Sequence, residues 1–186
     1  MAPMKRGDAG VFALNRALQQ ALNPPAANRP ELTRGDCIFR LGDKVMQVRN
    51  DYDIEWTGPD KDGTGVFNGD MGFITGIDEE ERSITVTFED DRIATYEEGA
   101  VEDLELAYCI SVHKSQGSEF PVVVLPAVGG PPMLLTRNLF YTAVTRARRM
   151  VMLVGREDAI DQMIRNAYVT RRYSALGQRL SVLHTL

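Results

Sequence analysis

Two stretches constrain this chain more than any other feature: AYCISVHKSQGSEFPVVVLP at 107–126 and LFYTAVTRARRMVMLVG at 139–155. In the first, Tyr108 to Val112 reads as a strand, HKSQGSEF as a polar turn, and Pro121 to Leu125 as a short, wholly apolar strand. In the second, a helix carrying Arg146 near its end leads into another buried strand, Met150 to Val154. Short apolar runs flanked by polar loops and alternating with helices imply a parallel sheet covered on both faces. In such sheets the loops at the carboxyl ends of the strands gather the ligand-binding groups.

These blocks resemble the fifth and sixth signature motifs of superfamily 1 helicases, and HKSQGSEF with YTAVTRAR is most similar to the RecD-like branch. Order and separation make the resemblance specific; a lone TRAR would carry no weight. It implies two RecA-like domains with ATP between them, driving movement along single-stranded DNA in the 5′-to-3′ direction. The first of those domains would carry a GxxxxGK[ST] loop, whose amides and lysine hold the phosphates. Gly-Lys occurs nowhere in this chain. Nor does an Asp-Glu pair end an apolar strand to hold magnesium, since Asp78-Glu79 opens an acidic turn instead. The expectation is a second motor domain alone, an α/β RecA-like parallel sheet with flanking helices, interrupted by a small antiparallel barrel. It would supply half an ATP site and not be an ATPase alone, with ATP and Mg²⁺ bound mainly by the absent first domain.

The remaining pattern supports that organisation. Residues 10–22 read as a helix, with Val11, Leu14, Leu18 and Leu22 at helical spacing, stopped by Asn23-Pro24-Pro25. With APMKRGDAG before it, this helix resembles the loop and helix of the family's fourth motif. Residues 24–35, with three prolines, read as a linker. From Asp36 the period becomes two: 44–50, 71–78, 83–90 and 92–98 are candidate strands. SITVTF is the clearest, with Ile84, Val86 and Phe88 alternating with Thr85 and Thr87. Four or five short antiparallel strands suggest a small closed barrel. GDKVMQVRN and VFNGDMGFI resemble the Src-homology-3-like barrel inserted in RecD-like motor domains, with 56–65 as a lengthened hairpin. After Arg156 helical spacing returns, with one stripe of Ile160, Met163, Ile164 and Ala167 and another of Tyr173, Leu176, Leu180 and Leu183, decorated by Arg165, Arg171, Arg172 and Arg179. The expected division is motor 1–35 and 106–186 around barrel 36–105.

The net charge of −5 is unevenly spread. Residues 36–105 hold 20 acidic and 6 basic side chains, a balance of −14, and the rest hold 6 and 15, a balance of +9. The motor portion suits a phosphate backbone and the barrel on average repels one. No apolar run approaches the length of a membrane span. MAPMKRGDAG has no hydrophobic segment behind its basic pair, so it is no secretory signal. Cys37 and Cys109 read as reduced, buried thiols of a cytoplasmic protein, and with His113 and His184 the only histidines, a zinc site is not expected.

Arg146 is the candidate catalytic residue. A guanidinium supplied from a second domain stabilises charge on transferring γ-phosphate oxygens, an effect worth about 10³–10⁵ in rate elsewhere. Taken as an isolated TRAR it is a surface arginine beside Arg148 and Arg149; with both motifs present it reads as an arginine finger, and Arg137 as a second phosphate group. The resemblance puts Gln116, Gly117 and Glu119 at the nucleotide, where glycine permits close approach and a carboxylate can accept from a ribose hydroxyl. It puts Ser111, His113 and Lys114 at the DNA, a hydroxyl, an imidazole and a cation being suited to phosphates and bases. Asn50 and Asn68 also resemble DNA-contact positions, although Asn68-Gly69 is first of all a hairpin turn. Lys5 and Arg6 lie within reach of the ATP cleft or DNA, or are simply solvated. The expected partners are single-stranded DNA, the N-terminal RecA-like domain of the same protein, and a protein docked on the acidic barrel, with no membrane. Two other readings stay open: a non-catalytic single-stranded nucleic-acid-binding module, and a protein-docking module.

Overall fold

The computed structural model describes residues 1–168 of the 186. The first helix, α1 (Val11–Leu22), ends at Asn23 because Pro24 cannot continue it. A hairpin follows, β1 (Glu31–Arg34) paired with β2 (Cys37–Arg40). The expected linker over 24–35 is therefore shorter: Leu32 alternates inward and packs in the barrel core, so its segment is strand.

Seven strands form the barrel sheet: β3 (Lys44–Gln47), β4 (Asp51–Thr57), β5 (Asp62–Val66), β6 (Met71–Asp78), β7 (Ser83–Phe88), β8 (Ile93–Tyr96) and β9 (Leu104–Leu106). Their order is β5-β4-β8-β7-β6-β3-β9, all antiparallel. There are seven strands where four or five were expected, because β5 is Gly- and Asp-rich and β9 is only three residues long, leaving no period-two signal. The ladder is also open, since β5 and β9 are not paired to each other. The sheet nonetheless curls round one core: Val66 at one end and Leu104 at the other share a cluster with Phe39, Ile74, Ile84 and Tyr96. In β7 the alternation reads directly as burial, with Ile84, Val86 and Phe88 inward. Outward Thr85 and Thr87 share hydroxyl hydrogen bonds with Thr95 and Thr75 at 3.1 and 3.0 Å. Residues 56–65 do form a hairpin end, joining β4 to β5.

Among the described residues the motor portion is built on two parallel strands, β10 (Phe120–Ala127) and β11 (Ala147–Gly155), joined through α2 (Arg137–Val144) and followed by α3 (Glu157–Arg165). Thr136 caps α2, accepting from Leu139 N at 3.3 Å. The strand expected over Tyr108–Val112 reduces to one parallel bridge between Ala2 and Ser111. Ala2 N donates to Ile110 O at 2.9 Å and Val112 N to Ala2 O at 3.1 Å, while the Met1 ammonium donates to Val124 O at 2.8 Å. The first residues thus lie between the 110–112 segment and β10. α2 and α3 cover one face through Leu125, Leu139, Ala143 and Met163.

The expected cover on both faces is not found among the described residues. Val122 and Val124 of β10 stand in register with Met150 and Met152 of β11, and all four are about half exposed. The helix stripe holds for Val11, Leu14 and Leu18, which pack with Ala2 and Cys109, and fails at Leu22. α1 buries Val11, Asn15 and Gln19, and Leu22 is 68% exposed. Beside that apolar cluster Asn15 and Gln19, four apart, face backbone and carboxylate groups that need amides. In α3, Met163 is fully buried and Ile164 largely exposed. The stripe from Tyr173 to Leu183 and Arg171, Arg172 and Arg179 lie outside the described residues.

Candidate nucleotide and nucleic-acid site

From Ser111 the chain descends through successive turns. Ser115 N donates to Ser111 O and Ser118 N to Ser115 O, both at 3.1 Å, and the buried Ser115 hydroxyl donates to Val112 O at 2.7 Å. Gly117 has φ +89°, a left-handed conformation that costs glycine little and a β-carbon more. It leaves open space where a side chain would stand, so a ligand can approach the backbone.

The second motif closes on this loop. α2 ends at Val144, so Arg146 lies in the turn beyond the helix and not within it. Its carbonyl accepts from Phe120 N at 2.8 Å, and its Nη1 donates to Ser118 O at 3.2 Å. Its Nε is buried with no hydrogen-bond partner among the described residues. A guanidinium carries five N–H donors, so most of this one's capacity is uncommitted. Glu119, one residue from the Ser118 contact, pairs with Arg148 at 2.7 Å. Both side chains are largely exposed, so this pair contributes little to stability. Arg148 is a member of the site that spacing did not single out; only its place in the TRAR string hinted at it.

Arg137 is turned to another task. Its Nε donates to Ile164 O at 2.6 Å and its backbone N to Asn166 O at 2.8 Å, tying α2 to the end of α3. Gln116 and His113 are exposed and line a cavity of about 240 Å³ with Asn138 and Thr142 of α2. Lys5 and Arg6 are exposed beside Gly129 and Gly130 on a wider cleft of about 880 Å³.

The three residues expected at DNA differ in availability. Ser111 is buried and its Oγ accepts from Lys114 N at 3.2 Å. Lys114 Nζ is engaged by Glu105 of β9 at 3.2 Å, linking the loop to the barrel. His113 alone of the three is open to solvent. On the barrel, Asn50 and Asn68 are brought together: Asn68 N donates to Asn50 Oδ1 at 2.9 Å. Beside them Tyr52 and Phe67 meet edge to face at 5.9 Å, both exposed. Neither aromatic stood out from periodicity, because Tyr52 is an exposed ring in a polar strand and Phe67 lies just past the end of β5.

Burial, and next the nearby Asp43 carboxylate, pushes the Cys37 thiol up to about 11. Burial also raises Cys109. Both cysteines are free. Tyr108 is pushed up to about 12, first by burial and then by its hydrogen bond to Asp43. Among the described residues no three His, Cys, Asp or Glu side chains converge on a possible metal position. No described helix is long and apolar enough to cross a membrane.

Residues 14–88 match the family described as the ATP-dependent RecD-like DNA helicase SH3 domain, and residues 106–154 the UvrD-like helicase C-terminal domain. The chain is 33% identical over 159 residues to the ATP-dependent RecD2 DNA helicase of Deinococcus radiodurans, spanning 86% of this chain and 20% of that protein. It is 31% identical over 176 residues to the RecBCD enzyme subunit RecD of Mycolicibacterium smegmatis, spanning 95% of this chain and 28% of that protein. The chain therefore corresponds to under a third of either relative. Its fold is similar to that of a Bacteroides Pif1 helicase solved with ADP-AlF3 and single-stranded DNA, with a TM-score of 0.53 at 18% identity, over all of this chain and 45% of that one. A structure of two coordinating Pif1 helicases at forked DNA gives 0.54 at 19% identity, over all of this chain and 43% of that one.

Proposed function

The chain belongs to the RecD-like DNA helicases, and from that premise we propose that it forms the second RecA-like motor domain of an ATP-driven 5′-to-3′ helicase. The motor portion would comprise 1–35 and 106–186, with the barrel 36–105 inserted. One observation carries the reading: Arg146 is lodged against the 118–120 backbone, with its Nε buried and no partner among the described residues. A held guanidinium with spare donors suits a γ-phosphate presented by a facing domain. ATP with Mg²⁺ would be held mainly by that N-terminal RecA-like domain, and bound ATP would supply the phosphoryl group transferred to water. Gln116, Gly117 and Glu119 would border the nucleotide, while Arg137 would act one step back by holding α2 against α3.

Single-stranded DNA would meet His113 directly, with Ser111 and Lys114 shaping its loop. Asn50 and Asn68 would contribute amides to a second contact on the barrel, where Tyr52 and Phe67 offer faces for unpaired bases. Such stacking works despite the barrel's acidity because it draws on the base and not the phosphate. The setting would be the cytoplasm. A second reading, docking of a protein on the barrel, is favoured by a groove of about 950 Å³ lined by Asp51, Asp53, Glu55, Asp62 and Glu97 beside Trp56. That surface suits a basic segment.

The test compares the purified chain with the full-length product of the same gene, using Mg·ATP and single-stranded DNA. The chain alone should show no turnover above background, and the full-length protein should show DNA-stimulated turnover. Hydrolysis by the chain alone would refute the half-site reading.

A further inference from the structure

The carboxylate of Asp43 is fully buried and accepts four hydrogen bonds from three separate parts of the chain. Oδ2 accepts from Gln19 Nε2 of α1 at 2.5 Å and from Arg40 N of β2 at 2.8 Å. Oδ1 accepts from Nδ2 of Asn23, the residue just past the end of α1, at 2.7 Å, and from the Tyr108 hydroxyl at 2.9 Å. A carboxylate has about four lone-pair sites, and here all are met by neutral donors. No cation pairs with it among the described residues: the nearby Arg40 guanidinium turns to Glu31 at 2.6 Å and to Asn23 O at 3.2 Å.

The adjoining contacts point the same way. Asn15, one turn before Gln19, donates to Cys109 O at 2.8 Å and accepts from Cys109 N at 2.7 Å. Lys114, further along the same segment, pairs with Glu105 of β9. The root of the 111–118 loop is therefore held by α1 on one side and by the barrel on the other, and Asp43 is the only one of these groups that touches all three.

We propose that Asp43 is a positioning residue: it fastens the barrel, α1 and Tyr108 into one body, so that the barrel and the 111–118 loop move together during the motor cycle. This rests on the helicase reading above. A mobile barrel would meet the strand independently of the loop, whereas a fastened one presents both DNA contacts in a fixed register. The geometry explains why a carboxylate serves: four donors converge, two on each oxygen, and a carboxylate has the lone pairs to accept from all of them. An amide here would set its NH₂ against two of those donors.

The experiment uses the full-length protein carrying Asp43→Asn or Tyr108→Phe, with Arg82→Ala, which removes an exposed barrel ion pair, as control. Three quantities are read: the ATP KM, the oligonucleotide concentration giving half-maximal ATPase, and base pairs unwound per ATP. Both test variants should keep the ATP KM within twofold. The half-maximal oligonucleotide concentration should rise about three- to tenfold for Tyr108→Phe, which loses one buried hydrogen bond, and at least as much for Asp43→Asn, which opposes two donors; unwinding per ATP should fall several-fold in both. A residue that only stabilised the fold would lower the melting temperature and leave both ratios unchanged in the folded enzyme. That result, in variants shown to be folded, overturns the proposal. Tyr108→Phe keeps the question open to test should Asp43→Asn not fold. Hydrogen exchange of amides 109–115 in the 186-residue chain provides the separate arm: faster exchange in Tyr108→Phe supports the joint, and unchanged exchange overturns it. Should the unmodified full-length protein show no DNA-stimulated turnover, the helicase reading falls, and exchange alone decides the joint.

Discussion

Asn15→Ala should destabilise this protein far more than Leu22→Ala, the reverse of what helix hydrophobicity suggests. The Asn15 amide sits in the interior and makes both a donating and an accepting bond to the backbone of Cys109, itself buried. Alanine leaves that N–H and that C=O without partners. Each unmet buried group costs about 1–3 kcal/mol, so the pair costs about 2–6 kcal/mol, against which alanine's better helix propensity returns at most about 0.7 kcal/mol. Total stabilities are about 5–15 kcal/mol, so the loss is a large share of the whole. Leu22 is 68% exposed, and surface substitutions usually fall within about 0.5 kcal/mol. The assay is urea unfolding followed by tryptophan fluorescence, since Trp56 is the one tryptophan. With m of about 1–3 kcal/mol/M, Asn15→Ala should lower the midpoint by about 1 M or more, and Leu22→Ala should hardly move it. Asn15→Leu, which completes the apolar stripe, should be no better than alanine. A loss below about 1 kcal/mol for Asn15→Ala, or an equal loss for Leu22→Ala, would refute the argument that α1 docks through amides.

In the full-length protein, Arg146→Ala should lower DNA-stimulated hydrolysis by about 10³-fold or more while ATP binding, measured by a fluorescent analogue, persists; Arg146→Lys should not restore it, because an ammonium lacks the planar fork. Tyr52→Ala or Phe67→Ala should weaken single-strand binding by about 1–3 kcal/mol, equally at low and high salt, and a loss that vanishes at high salt would argue against stacking. With Cys37 pushed up to about 11 and Cys109 also raised, neither thiol should alkylate readily at pH 8 until denaturant is added. Tyr108 titrates at about 12 in the folded protein against 10.0 for the ordinary group. Its neutral form is favoured by folding, so its contribution is complete below pH 10 and is lost as pH rises towards 12. Tyr108→Phe should flatten the stability profile in that window.

Local pattern made much of this protein legible. The strand at 83–88 follows from apolar side chains at every second position, and the stop of α1 from Asn23-Pro24. Two strings, HKSQGSEF and YTAVTRAR, carried the family, because they combine strand ends, a left-handed glycine and an arginine in fixed order. That they converge, with Arg146 against Ser118, is a tertiary fact that agrees with the strings but is written in neither.

What the sequence by itself determined is therefore the set of local elements and the chemistry on each loop, since periodicity and turn propensity act over a few residues. Only the tertiary structure decided which groups those loops leave free. Lys114 is a free cation in the string and a paired one beside Glu105; Arg137 offers a phosphate donor in the string and holds Ile164 O in the fold. Tyr108–Val112 has strand composition, yet among the described residues it pairs only through the Ala2–Ser111 bridge. Asn15, Gln19 and Asn23 lie four apart on one helix face, which marks a shared surface but not its orientation. Their inward turn depends on a carboxylate twenty residues beyond Asn23 and a backbone group 94 residues beyond Asn15. A buried polar group is stable only where partners from distant parts of the chain meet it, and long-range meetings are what periodicity cannot encode.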